Sequence, residues 1–281
     1  NFPAVESIHH QTHILQFIQP DMNIRILLSA LLLTLSAAAS ALSIGKAESF
    51  DWKDESLTYD VMFKWGLINK KAGSATLTLR AEPESYVTRL TAASEPWADR
   101  IYQVRDTLNG RIGRDGFRPL FYEKIANEGG ERKYDVVKYR YESHPEISAD
   151  CIRKVYKKNK LKIDEKRTLK TFGTTVDMLT SFYFMRHLPF EKWKDGQSET
   201  VNIFSGKQKE LLKISYLGEV DLEVGDKVRR CYHISFSFTS DGKRKTSDDM
   251  EAWISTDGRR IPMRLEGKLP VGKVHCLLSG E

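Results

Sequence analysis

Cysteine is scarce in this chain of 281 residues: Cys151, Cys231 and Cys276 are all there are. Three cannot build a disulfide scaffold, and an odd number leaves at least one thiol unpaired in an oxidising compartment. Cys231 and Cys276 lie in strand-like segments and read as two small core residues rather than a disulfide. Long hydrophobic runs are missing too. The apolar stretch Ile26–Leu35 is about ten residues long, against the roughly 20 that a spanning helix needs. No Pro- or Gly-rich linker and no repeat of fixed period divides the chain. There is no G-x-S-x-G, P-loop, H-E-x-x-H, C-x-x-C or dinucleotide fingerprint, so the enzyme classes built on those motifs are not indicated. His144, His187, His233 and His275 are scattered without ligand spacing, so neither a metal nor another cofactor is expected. His233 and His275 stand out of phase with their apolar neighbours and read as solvated. The net charge of +6, spread over 29% charged residues, is too diffuse to predict nucleic-acid binding.

What is present begins with an export signal. Arg25 supplies a short positive region, Ile26–Leu35 an apolar one, and Ala39-Ser40-Ala41 a small-x-small cleavage site. On this reading translation starts at Met22. Residues 1–21, with His9, His10 and His13, are upstream sequence, 22–41 the signal peptide, and 42–281 a single mature domain. Removing residues 1–41, which hold Glu6, Asp21 and Arg25, raises the net charge by one. No cysteine near the cleavage site offers a point of lipid attachment. The expected destination is the periplasm of a Gram-negative bacterium.

The mature sequence is a succession of period-2 segments. Leu57, Tyr59, Val61, Phe63 and Trp65 alternate with polar residues; Gly66–Gly73 turns the chain; Ala75, Leu77 and Leu79 continue. Pro83 breaks that strand, and further strands are expected at Tyr86–Ala92, Tyr102–Leu108, Leu120–Ala126 and Tyr134–Tyr141. A hairpin at Lys158-Asn159-Lys160 joins Ile152–Tyr156 to Leu161–Ile163. Later strands are expected at Ser198–Phe204, Leu211–Leu217, Cys231–Phe238, Met250–Ile254, Ile261–Leu265 and Val274–Leu278. Asp-Gly pairs at 115, 195, 241 and 257 punctuate them, because both residues tolerate positive φ. Strands that follow one another without intervening helices predict a mainly antiparallel sheet. One segment, about 175–188, changes to helical period: Leu179, Phe182, Tyr183 and Arg186 share a face. Thr174 and Asp177 suggest a capping box, with Asp177 also suited to the helix dipole, and Pro189 ends the helix. The fold class is therefore mainly β: a strongly curved antiparallel sheet or incomplete barrel around one central amphipathic helix.

Chemistry-bearing patterns are few. Carboxylates are plentiful, but no pair stands out. The run Arg153–Lys170 holds nine Lys and Arg residues. It reads as a solvated edge hairpin, with contact to an anionic surface such as a membrane as the alternative. The aromatic residues Trp65, Trp97, Phe182, Tyr183, Phe184, Trp193 and Trp253 are many for one sheet and one helix to bury. They read either as core or, if the sheet curls round the helix, as the lining of an apolar groove. The residues singled out for ligand contact are Trp65, Phe182, Tyr183, Arg186 and Trp253. For Arg186, an ion pair with a buried carboxylate is the stronger expectation, since a lone buried charge is costly.

Several segments together resemble the DUF3108 family of exported bacterial proteins of uncharacterised function. Tyr59–Gly73, with Trp65-Gly66-Leu67-Ile68 leading to Lys71-Ala72-Gly73-Ser74-Ala75, is similar to that family's opening "w-G-x-i-x-x-G-x-a" strand pair. Asp177–Arg186 resembles its "D-x-l-S-x-x-Y-x-x-R" helix, with Thr180 where Ser is usual. Ala252–Pro262, followed by Val271–Val274, resembles its "W-x-S-x-D-x-x-R-x-P" hairpin and closing strand. The likeness runs from Tyr59 to Leu278. It implies an exported all-β protein with a curved sheet or incomplete barrel, and it brings no catalytic residues. Shapes of that kind suggest, by analogy of fold alone, carriers of lipids and lipoproteins.

Three functions follow as expectations. The first is a monomeric, non-enzymatic envelope protein holding an apolar ligand such as a lipid or acylated molecule. The second is an assembly or scaffold protein that binds another envelope protein through sheet edges and Arg153–Lys170. The third is a cell-wall or glycan hydrolase, which needs two carboxylates converging in the groove.

Overall fold

Alternation of apolar and polar residues is what this chain has most of, and it becomes one sheet. The computed structural model describes residues 52–143, 146–240, 250–269 and 272–281. The signal segment, His144 and the Asp241-Gly242 pair lie outside the described residues. Eight strands form a first meander: β1 (Glu55–Trp65), β2 (Ile68–Ala81), β3 (Ser85–Ser94), β4 (Val104–Gly113), β5 (Arg118–Glu128), β6 (Glu131–Ser143), β7 (Glu146–Lys157) and β8 (Lys160–Phe172). A two-residue β9 (Thr175–Val176) follows. A second meander runs through β10 (Ser198–Phe204), β11 (Lys209–Val224), β12 (Lys227–Ser240), β13 (Met250–Ser255), β14 (Pro262–Lys268) and β15 (Lys273–Gly280). Two helices interrupt them, α1 (Pro96–Asp99) between β3 and β4, and α2 (Thr180–His187) between the two meanders.

All fifteen strands belong to one sheet, ordered β8 to β1, then β15 to β9. The first and last strands pair with each other, Tyr59 opposite Leu278 and Phe63 opposite Val274. Each meander therefore grows outward from a central β1–β15 seam. Every pairing is antiparallel except β9 with β10. The strands twist and the sheet curls until its two ends nearly meet. There, Asn202 Nδ2 of β10 donates to the carbonyl of Phe172 at 2.9 Å, and Arg167 of β8 donates to the carbonyl of Lys207 at 2.7 Å. Phe204 stacks on Tyr139 of β6 with ring centres 5.8 Å apart. The result is a nearly closed, barrel-like sheet.

Inside it lies α2. Thr180, Ser181, Tyr183, Phe184, Met185 and Arg186 are all buried, which means sheet surrounds the helix on more than one side. Leu179, Tyr183, Phe190, Phe204, Leu212, Ile214, Ile234 and Phe238 form the centre of the core, each essentially inaccessible. The two hydrophobic faces of helix and sheet thus meet within one lumen.

Several expectations change in detail. The helix begins at Thr180 instead of near 175, because Thr175 and Val176 pair with Asn202 and Ile203 as β9. The Thr174–Asp177 capping box does not form. Instead Asp177 Oδ1 accepts the N–H groups of Leu179 at 3.0 Å and Thr180 at 2.8 Å. Oδ2 accepts the Thr180 hydroxyl at 2.8 Å. The helix ends as expected, with Leu188 extended (ψ 138°) before Pro189. The first turn is only Gly66-Leu67, and Lys70–Gly73 already belong to β2, accommodated by an irregularity in register at Val61/Met62. At the β7–β8 hairpin, Lys158 and Asn159 take φ of 49° and 59°, the two-residue geometry that matches strand twist.

His275, read as solvated, is only 8% exposed. Its Nδ1 lies 3.2 Å from both Arg264 Nη2 and a Glu266 oxygen, and burial holds its pKa below the ordinary range. All three cysteines are free thiols.

Candidate functional site

A half-open cavity of about 180 Å³ lies in the lumen beside α2. Small side chains make it. Ala75 of β2 pairs with Ala92 of β3, and with Ala72, Ala93 and Ala98 they line one wall where larger residues would fill the space. Leu77, Leu90 and Leu108 continue that wall; Met178 and Phe182 form the helix side; Met250, Leu265, Val274 and Cys276 face them from β13–β15. Tyr102 borders the cavity as well. Its ring lies over Gly129 in the β5–β6 turn, where an added Cβ would stand 2.3 Å from Tyr102 Cε2 and where φ is +53°.

The lining is mostly apolar, with charged residues at two places, Asp106 and Lys124 on one wall and Glu266 and Lys268 of β14 on another. Asp106 (β4) and Lys124 (β5) border the cavity, and both are buried, together with Glu128 and Asp135. These are inward positions of strands that otherwise turn Val104, Leu108, Ile112, Tyr122 and Ala126 into the lumen. Lys133 Nζ donates to Glu128 Oε2 at 2.5 Å, and Lys124 Nζ lies 3.6 Å from Glu128 Oε1. Asp106 Oδ1 accepts the N–H of Asn127 at 3.0 Å, and Arg153 donates to Asp135 Oδ1 at 2.9 Å.

Burial, then the neighbouring Glu128 carboxylate, push the pKa of Asp106 up to about 7. Burial opposes ionisation of Glu128 as well, but Lys124 and Lys133 outweigh it and hold that carboxyl below its usual range. Neighbouring like charges oppose joint ionisation, so Asp106 keeps its proton to higher pH than Glu128 does. Burial also raises Asp135, against the pull of Arg153.

Two tyrosines also border this space with their rings, while the charged groups nearest their hydroxyls, Arg186 and Glu55 for Tyr59 and Asp177 and Asp135 for Tyr122, lie outside the lining. The hydroxyls of Tyr59 and Tyr122 are buried with no hydrogen-bond partner, and burial raises both pKa values above the phenol range.

Of the five residues singled out from the sequence, Phe182 lines this cavity. Tyr183 turns the other way, its hydroxyl donating to the carbonyl of Thr78 at 3.2 Å. Arg186 is enclosed. Its guanidinium takes both oxygens of Glu55, at 2.7 and 2.9 Å. It also donates to the carbonyls of Arg260 and Arg259, each at 2.9 Å. It stacks 5.1 Å from the Trp52 ring centre and 5.5 Å from that of Tyr183. This ion pair braces α2 against β1 and the β13–β14 turn. Trp65, at the end of β1, is 37% exposed. Trp253 lies between His233, ring centres 4.6 Å apart, and the Arg264 guanidinium at 4.9 Å.

Asp106, Lys124, Glu128, Tyr59 and Tyr122 were not singled out from the sequence. The available signal was phase: Asp106 sits in register with Val104 and Leu108, and Lys124 with Tyr122 and Ala126. A charge at an inward position of an amphipathic strand needs a partner.

Among the described residues no cluster of His, Cys, Asp and Glu suits a metal ion. No described helix is long and apolar enough to cross a membrane.

The profile of the family described as "Protein of unknown function (DUF3108)" matches residues 58–278. The chain belongs to that family. This DUF3108 protein also resembles, in fold, the crystal structure of a β-barrel-like protein of domain of unknown function DUF1849 from Brucella abortus. The TM-score is 0.55 at 10% identity, covering 81% of this chain and 96% of that one. No curated protein matches it.

Proposed function

We propose that this DUF3108 protein is a non-enzymatic envelope protein that holds the chain of a lipid or acylated molecule in its lumen. The half-open, apolar cavity of about 180 Å³ carries this reading. At ~30 Å³ per water-sized group, that is room for roughly six methylenes. Burying them at ~0.8 kcal/mol each contributes ~5 kcal/mol, enough for sub-millimolar binding. The open mouth lets the rest of a longer molecule project. The signal-like segment at 22–41 supports export, with the periplasm of a Gram-negative bacterium as destination.

Mass spectrometry of organic extracts from natively purified protein, alongside titration with an apolar fluorescent dye, tests the reading. A co-purifying acyl compound and dye binding that Ala92→Phe abolishes are the expected results. Clean extracts and no dye binding would remove it.

The glycan-hydrolase alternative meets the Asp106–Glu128 pair and is not supported by it. A glycosidase needs two carboxyls that flank the sugar, whereas Glu128 is committed to Lys133 at 2.5 Å and, unlike Asp106, does not line the cavity. The assembly alternative draws on β8, the terminal strand of the sheet. Five of the nine basic residues of Arg153–Lys170, which spans the β7–β8 hairpin, are already ion-paired, Arg153, Lys154, Lys157, Arg167 and Lys170. That leaves less free charge for an anionic surface than the sequence suggests.

A further inference from the structure

The β1–β2 hairpin stands clear of the rest of the molecule. Residues 64–70 are all exposed, and since successive side chains alternate, both faces of the ribbon are bare. Its tip is apolar. Trp65 and Ile68, paired across the turn, are each 37% exposed, and Leu67 is fully exposed. Gly66, at φ 55°, supplies the positive dihedral that a two-residue turn needs. A leucine beside it adds nothing to the turn, which favours Gly, Asn or Asp, and it reaches no core. Trp97 of α1 holds the base of the hairpin. Its indole N–H donates to the carbonyl of Lys71 at 2.7 Å, and Lys70 Nζ stands 4.5 Å from its ring centre.

Lysines flank that tip. Lys268 of β14, Lys273 of β15 and Lys64 of β1 stand in one row, each opposite the next in the strand register. Like charges directly opposite one another are unfavourable within a sheet. Of the nearby carboxylates, Glu266 is taken by Lys273 at 2.9 Å and Asp60 by Lys71 at 2.6 Å. Lys64 and Lys268 have no ion pair among the described residues. An apolar tip with an indole, backed by unpaired lysines, has the composition that enters the head-group layer of a bilayer. The apolar side chains pass below the phosphates, the indole sits at their level, and the lysine stems lie along apolar surface with their ammonium groups outward.

We propose that the β1–β2 hairpin is a docking site for a membrane surface bearing anionic phospholipids, with Trp65, Leu67 and Ile68 inserted and Lys64 and Lys268 on the phosphates. Charge selects this occupant. A second copy seated on the same patch by two-fold symmetry places lysine against lysine, and an uncharged apolar partner leaves Lys64 and Lys268 uncompensated. The cavity lining begins at Val61 and Ala72, four residues back from Trp65 and Ile68 and so about 13 Å behind the tip. Docking therefore brings the cavity close to the bilayer face, and it does not require an occupied lumen.

Co-sedimentation of the full chain with vesicles of phosphatidylcholine, or of phosphatidylcholine mixed with phosphatidylglycerol, tests the docking site. Partitioning onto the mixed vesicles is expected to be about tenfold or more stronger than onto the neutral ones, and to fall as salt is raised. Leu67→Ser, at a position with no packing to lose, should weaken it about tenfold. Lys64→Gln combined with Lys268→Gln should remove the preference for anionic vesicles. Brominated phospholipid should quench the fluorescence of the wild type more than that of Trp65→Phe. That difference reports on the tip whatever residues 1–41 contribute, since they hold no tryptophan. Equal partitioning onto the two vesicle types, equal binding by wild type and Leu67→Ser, or equal quenching of wild type and Trp65→Phe would each overturn the docking site. So would a dimer that Leu67→Ser dissolves, which makes the tip a contact between copies. Dye binding in the lumen should be unchanged in Leu67→Ser, because Leu67 does not line the cavity. Loss of docking alone thus leaves the carrier reading standing, and loss of dye binding alone leaves the docking site standing.

Discussion

Arg186 and Glu55 stand 131 residues apart in the chain and meet in a two-pronged ion pair at 2.7 and 2.9 Å. The pair joins the helix in the lumen to the first strand of the sheet. Its guanidinium also satisfies two carbonyls of the β13–β14 turn, so one side chain ties both meanders to the element between them.

Removing one partner of a buried pair leaves the other uncompensated, which typically costs about 3–5 kcal/mol. Arg186→Met is expected to destabilise the protein by that amount in urea unfolding, and Glu55→Gln by less, since the amide still accepts from Arg186. The double variant should cost clearly less than the two single losses added together. Strict additivity would mean the two side chains do not act as a unit.

Asp106 has its pKa raised to about 7 in the folded protein, against about 3.9 for an unfolded chain. The folded state therefore binds the extra proton between those values. The contribution of this group to stability is complete below about pH 4 and is lost as the pH rises toward 7. Asp177, raised to about 6 chiefly by burial, acts in the same direction. Urea midpoints measured from pH 5 to 8 should thus show a downward trend that Asp106→Asn reduces. An unchanged slope in that variant would place the titration elsewhere.

Asp177 holds the first turn of α2 through Leu179 and Thr180. Asp177→Ala strands those donors in a buried setting and should cost about 2 kcal/mol or more. Asp177→Asn, which can still accept from both N–H groups, should cost less than half as much. Thermal unfolding of the two variants separates the cap from the charge: similar losses would show that the charge carries the effect.

How the fold was legible follows from the range of each interaction. The strands could be read because side-chain alternation, Asp-Gly turns and Pro breaks are local: β10 spans the expected Ser198–Phe204, and the later strands differ mainly at their ends. The helix could be read from its period, and its stop from Pro189. Its start could not, because pairing of Thr175 and Val176 with β10 is a contact across the fold that competes with helical propensity. The curved, nearly closed sheet was within reach of pattern and family likeness together.

The candidate site was much less so. Aromatic residues drew attention because they are large, yet Trp65 and Trp253 sit away from the cavity and Tyr183 and Arg186 pack into the brace. The cavity exists where side chains are small, at Ala75 and Ala92, and absence of bulk has no sequence signal. By itself the sequence determined the strand succession, the turns and the one helix, because each depends on residues a few positions apart. Only the tertiary structure decided that β1 and β15 form the seam, that Glu55 answers Arg186, and that Asp106 and Lys124 border an apolar lumen. Those outcomes depend on how strongly the sheet curls, a property summed over all fifteen strands and encoded in no single one.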